Sequence, residues 1–131
     1  QKVTLDELLA KSDFITLHTP MTEQTRNILN EDTLAKTKKG VRIVNAARGG
    51  LVNEADLKAA LESGQVAAAA LDVFEKEPAT EHPLFGMEQV IATPHLGAST
   101  HEAQENVALQ VAEQMSAYLN SGTIINAVNK L

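Results

Sequence analysis

The chain has 131 residues, enough for one domain with a real core; 44 % are hydrophobic and only 3 % aromatic, so leucine, valine, isoleucine and alanine must build that core and a disordered tail is excluded. The net charge of −6 comes without a Lys/Arg-rich block, so a nucleic-acid surface is not expected, and Lys36, Lys38 and Lys39 read as a solvated helix end. Cysteine is absent, which removes disulfides and thiol chemistry and fits a reducing compartment such as the cytoplasm; no apolar run is long enough to span a membrane.

Thr4 with Glu7 matches a capping box, so a short helix is expected to about Lys11. The run DFITLH (13–18) reads as a strand, and Pro20 punctuates the loop after it. Asn30 caps a helix over EDTLAKTKK, with acids at its start, lysines at its end and Gly40 beyond it. VRIVNA (41–46) is the next strand, Asn53 caps the helix EADLKAALES, and Gly64 stops it. The alanine-rich run 66–74 follows a glycine stop and ends in Asp-Val-Phe, so we read it as a strand packed under close helices. After a loop with two prolines comes a short strand at 90–93, then PHLGAST and a long helix from about Thr100 to Leu119. Its apolar positions Ala108, Val111, Ala112, Met115 and Leu119 share one face; Gly122 stops it, and TIINAV is a candidate last strand.

Short strands alternating with helices of about three turns predict an α/β fold with a parallel sheet, whose functional groups belong at the carboxyl ends of the strands. Four such ends carry polar groups: His18-Thr19-Pro20, Ala47-Arg48 with two glycines, Asp72 followed by Glu77, and Pro94-His95 with Gly97. Arg48 is a planar fork suited to a carboxylate or phosphate, and the glycines beside it allow a ligand or chain segment to approach the backbone. Taken alone, it reads rather as a surface salt bridge, with the glycines merely turning the chain. His95 could move a proton near neutral pH, although a lone loop histidine is most often only solvated. Glu77 could orient His95 and stabilise its protonated form, but Glu75 and Glu81 compete for that role. Asp72 could accept from a polar ligand or cap a turn. No zinc spacing and no G-x-S-x-G elbow is present, which leaves acid–base chemistry beside an anion-binding arginine and no metal.

The stretch NAARGGLVNEADLKAALESGQVAAAALDVFEKEP, followed by ATPHLGASTHEAQENVALQVAEQ, closely resembles the NAD-dependent D-2-hydroxyacid dehydrogenases. PHLGAST and ALDVFEKEP are most similar to the D-3-phosphoglycerate dehydrogenase branch. The resemblance implies reversible hydride transfer between NAD and C2 of a small 2-hydroxy acid, 3-phosphoglycerate in serine biosynthesis for that branch. It implies that Arg48 holds the substrate carboxylate, that His95 takes the hydroxyl proton, and that Glu77 pairs with His95. It further implies that Asp72 faces the nicotinamide carboxamide, and that His18, Thr19, Pro20, Ala47 and Gly97 lie along the cofactor.

The family's G-x-G-x-x-G turn cannot be formed by any of the glycines at 40, 49, 50, 64, 86, 97 and 122. The expectation is therefore half of a Rossmann-type doubly wound domain over 1–122, with a long C-terminal helix, and a return segment toward a substrate domain over 123–131. Such a chain is expected to be inactive alone. Its strand at DFITLH would lack a neighbour, so a homodimer or larger assembly is expected through that open edge or through a swapped C-terminal helix. The competing reading is a non-catalytic half-domain that serves folding or assembly.

Overall fold

The computed structural model describes residues 1–129. The expected return segment therefore runs past the described residues at Lys130 and Leu131. The chain divides into two compact units, Gln1–His95 and a second from Leu96 onward.

In the first unit, α1 (Leu5–Lys11), β1 (Phe14–Leu17), α2 (Glu31–Ala35), β2 (Val41–Asn45), α3 (Glu54–Glu62), β3 (Val66–Leu71) and β4 (Val90–Ala92) follow in chain order. The four strands are parallel and lie side by side as β1-β2-β3-β4. Two rows of facing residues cross the sheet. Ile15, Ile43, Ala69 and Val90 form one, and Leu17, Asn45, Leu71 and Ala92 form the other, at the carboxyl ends. Alternation along β1 buries Ile15 and Leu17 and leaves Phe14 and Thr16 outside, the period of two expected of a pleated strand. The Arg42 guanidinium covers the outward Phe14 ring at 5.2 Å from its centroid. Leu9, Leu34, Leu57 and Leu61 from the helices close the core over Val41, Ile43 and Val66.

The alanine-rich run is a strand, because β2 and β4 pair with it on both sides and supply the hydrogen bonds that a helix would otherwise make internally. It ends at Leu71, where its partner β2 ends. Three local expectations are corrected. The capping box at Thr4 is half made, since Thr4 Oγ1 accepts from the Glu7 amide but the Glu7 carboxylate reaches Lys11 Nζ at 2.6 Å; the reciprocal box forms between Asn30 and Thr33. The helix begun at Asn30 stops at Ala35 rather than running to the lysines. Thr37 Oγ1 and Gln65 Nε2 both donate to the Leu34 carbonyl, and Lys36 and Lys38 leave to meet Asp6 and Asp13, each at 2.9 Å. TIINAV makes no strand; Asn126 sits at φ 54°, which breaks an extended run, and Ile124 and Ile125 are exposed.

The second unit contains α4 (His101–Ser121). Thr100 Oγ1 accepts from the Ala103 amide at its start, and Gly122 ends it in the left-handed conformation. No residue of α4 is buried, so its apolar positions, Val111, Met115 and Leu119 among them, are exposed.

Candidate active site

The carboxyl ends of β1 and β2 open into a shallow groove of about 310 Å³, lined by His18, Thr19, Pro20, Ala46, Ala47 and Arg48. Its shape is set by Asn45, whose side chain is buried in the last residue of β2 at 2 % exposure. Asn45 Nδ2 donates to the Arg48 carbonyl at 3.0 Å and Oδ1 accepts from the Ala47 amide at 3.1 Å, so the loop folds back over its own strand end. Arg48 itself is exposed, with Nη1 donating to the Ala47 carbonyl at 2.6 Å. On the β1 side, His18 Nε2 lies 2.9 Å from Thr16 Oγ1, and Thr25 Oγ1 donates to the Pro20 carbonyl at 2.7 Å. A short parallel ladder outside the main sheet ties the two loops. Asn27 N–H donates to Gly50 O at 2.8 Å, and Leu29 exchanges bonds with Leu51 and Asn53.

The ends of β3 and β4 form the acid–base part. His95 Nδ1 is 2.7 Å from Glu77 Oε2, and Glu77 Oε1 accepts from the Phe74 amide at 3.0 Å. Both carboxylate oxygens are thus engaged. The bond from His95, then that from Phe74, hold the Glu77 carboxyl below its ordinary value of 4.5. With Nδ1 committed to Glu77, Nε2 is the nitrogen that can exchange a proton with a ligand. His95 has φ 56°, a left-handed backbone that costs a non-glycine residue about 1–3 kcal/mol, the kind of strain that collects at functional positions. Asp72 Oδ1 accepts from Thr93 Oγ1 at 2.5 Å, and the Asp72 amide donates to the Asn45 carbonyl at 2.9 Å. Glu77, His95, Thr93 and Pro94 line one side of a cavity of about 690 Å³, whose other walls include Phe74, Leu84 and Phe85.

Two contacts join the Arg48 loop to the Glu77 loop. A Cβ at Gly49 would lie 1.9 Å from the Phe74 carbonyl oxygen, so only glycine permits this approach. The Glu54 carboxylate accepts from the Glu75 amide at 2.8 Å and meets His82 Nε2 at 2.7 Å.

The residues singled out in the sequence therefore fall into neighbouring groups. His18, Thr19, Pro20, Ala47 and Arg48 share the groove, Glu77 and His95 are bonded, and Asp72 bridges toward both through Asn45 and Thr93. Of the three glutamates that could have served, the structure pairs Glu77 with His95; Glu75 is exposed. Gly97 is an exposed residue of the second unit. Sequence reasoning missed Asn45, Thr93 and the Glu54–His82 pair. Asn45 carried a signal, being a polar residue closing an apolar strand just before a turn; Glu54 and His82 are 28 residues apart and carried none.

Comparison with known proteins supplies the family and the fold. Residues 1–97 match the family described as D-isomer specific 2-hydroxyacid dehydrogenase, NAD binding domain. D-3-phosphoglycerate dehydrogenase of Bacillus subtilis is 54 % identical over 126 residues, which is 96 % of this chain and 24 % of that protein. The chain thus spans about a quarter of the length of this relative. Among solved structures, a glyoxylate reductase from Paecilomyes thermophila superposes with a TM-score of 0.89 at 42 % identity, covering 96 % of this chain and 38 % of that one. An NAD-dependent formate dehydrogenase from Staphylococcus aureus, solved in complex with NAD, superposes with a TM-score of 0.83 at 35 % identity, covering 95 % and 38 %.

Proposed function

The chain belongs to the NAD-binding domain family of the D-isomer specific 2-hydroxyacid dehydrogenases, and from that membership we propose that it carries the carboxylate-binding and proton-transferring groups of a D-3-phosphoglycerate dehydrogenase active site. The observation that carries this reading is the Glu77–His95 pair at 2.7 Å, with the second Glu77 oxygen anchored on the Phe74 amide. A carboxylate so held keeps the imidazole in one orientation and balances the charge it gains on taking a proton.

In the oxidation direction the Arg48 guanidinium holds the substrate carboxylate, and His95 Nε2 takes the proton of the C2 hydroxyl while the C2–H bond breaks. Ionised Glu77 steadies the imidazolium that results. NAD, when bound, supplies the acceptor for the hydride leaving C2, so that the 2-hydroxy acid becomes a 2-oxo acid. The groove fits the nicotinamide end of such a cofactor. It lies at the carboxyl ends of adjacent parallel strands, and Ala46 and Ala47 leave its backbone accessible. Asp72 stands beside it as an acceptor for a carboxamide. Phosphate recognition by a G-x-G-x-x-G turn is not available from the seven glycines, so these 131 residues by themselves are expected to bind cofactor weakly and not to turn over.

The test pairs two measurements. Titrating the chain with NADH and 3-phosphoglycerate should shift amide signals at Asp72, Arg48 and His95; no shift at millimolar ligand removes residual binding. In an enzyme carrying this chain, His95→Ala should lower kcat by about 10²–10⁴-fold. Full activity of that variant sinks the proposal.

Association is part of the same reading. Among the described residues β1 pairs with β2 alone, and Phe14 on it is 66 % exposed, which supports joining of copies through this edge; the unburied apolar positions of α4 support its exchange as the other route. Light scattering that finds a clean monomer at high concentration overturns this part. Cysteine-free composition supports a place in the cytoplasm, and among the described residues no helix is long and apolar enough to cross a membrane.

A further inference from the structure

We propose that Glu54 is a positioning residue for the Glu77–His95 pair, clamping the loop that carries Glu77 to the helix that follows Arg48. The inference rests on the function proposed above.

Glu54 is the first residue of α3, so its backbone moves with the helix. An acidic residue at that place commonly serves only the helix dipole and points to solvent. Here that task is already met, because Asn53 Oδ1 accepts from the Ala55 and Asp56 amides. The Glu54 side chain is instead turned inward, 21 % exposed, against His82 at 9 %. A carboxylate this far from water needs partners, and it has two: the Glu75 amide on Oε1 and His82 Nε2 on Oε2. His82 Nδ1 accepts from the Leu84 amide at 3.3 Å, which puts the ring proton on Nε2, aimed at Glu54. The His82 ring packs in a triangle with Phe74 and Phe85, centroids 5.0 and 5.3 Å away, and those two rings meet edge to face at 5.4 Å. Glu54 therefore grips the loop at Glu75 and at His82, on either side of Glu77. The residue before Glu75 is Phe74, whose amide holds the second oxygen of Glu77. Release of the grip frees both anchors of the acid–base pair, while Arg48 stays on the other side of the clamp.

The variants Glu54→Leu and Glu54→Gln separate this role from a merely structural one. The glutamine keeps an acceptor for the Glu75 amide. Carbon-detected NMR of the 131-residue chain follows the Glu77 carboxyl. In Glu54→Leu its titration should rise toward 4.5, and Glu54→Gln should keep part of the depression. In the dehydrogenase carrying this chain, kcat should fall about 10- to 100-fold in Glu54→Leu with KM nearly unchanged, the size expected for a displaced catalytic group. An unaltered Glu77 titration in folded Glu54→Leu overturns the proposal. Where the leucine variant does not fold, an unaltered titration in Glu54→Gln overturns it equally. The titration requires no turnover, so full activity of His95→Ala in the enzyme carrying this chain refutes the function while the clamp still stands or falls on Glu77.

Discussion

Gly49→Ala tests the packing that joins the two halves of the site. The new Cβ would stand 1.9 Å from Phe74 O, 2.3 Å from Phe74 C and 2.9 Å from Glu75 N, all backbone atoms that no side-chain rotation can clear. Carbon and carbonyl oxygen settle no closer than about 3.3–3.6 Å, so the two loops must part by about 1.5 Å. Overpacking of this kind costs about 1–3 kcal/mol of stability, read from the urea midpoint of the chain. The displaced atoms adjoin the Phe74 and Glu75 amides that fix Glu77 and Glu54, so the Glu77 titration should rise and kcat/KM of the enzyme should fall about 100-fold. Gly50→Ala is the control. Gly50 has φ 79°, so alanine there costs about 1–2 kcal/mol in backbone strain, but its Cβ would meet only side-chain atoms at ordinary contact distances, Met21 Cγ at 3.6 Å and Arg26 Nη1 at 3.9 Å. The two variants should be destabilised to similar degrees while Gly49→Ala alone disturbs Glu77. A Gly49→Ala chain with wild-type stability and an unchanged Glu77 titration refutes the reasoning.

Asn45→Leu removes both bonds that fold the Arg48 turn and strands the Ala47 amide and Arg48 carbonyl; a loss of about 1–3 kcal/mol is expected in denaturant. Glu77→Gln should alter acid stability. The Glu77 carboxyl titrates below its ordinary 4.5 in the folded chain, so its contribution is complete above that pH and is lost as the pH falls through the lower folded value. Stability measured against pH should show this component in the wild type and lack it in the variant. Arg48→Lys should raise KM for the hydroxy acid about tenfold with kcat little changed, since one charge-assisted bond of a bidentate pair is lost; an equal fall in kcat would place Arg48 in the chemical step instead.

Much of the fold was legible because local chemistry and tertiary packing agree. Thr4, Asn30 and Asn53 are cap residues in the sequence and cap residues in the structure, and the alanine-rich run is a strand as read, although it ends at Leu71 with its neighbour rather than at Phe74. The error at α2 has a long-range cause: Gln65, 31 residues away, helps to satisfy the Leu34 carbonyl, so the lysine-bearing turn need not continue the helix. In the site, Arg48, Glu77 and His95 stood out only through the family resemblance, because each taken alone at a strand end reads as an ordinary solvated group. Gly49 and Gly50 looked alike, and only coordinates separate a glycine required by a neighbour's backbone from one required by its own φ. Glu54 and His82 were indistinguishable from surface residues until the loop between them was closed.

The outermost strand sets how the site can come apart. β4 has three paired residues, of which Ile91 is 69 % exposed, and His95 stands three positions beyond it. Such a short margin opens before the strands inside it. Each fraying of β4 draws the histidine from its glutamate without melting β1 to β3, so amide exchange at Ile91, and at Ala69 whose amide bonds to Gln89 O beside β4, should outrun that at Ile43. Proton-transfer competence then becomes a gauge of whether the last strand is seated, and ligands that bridge Arg48 and His95 would fasten that margin from outside.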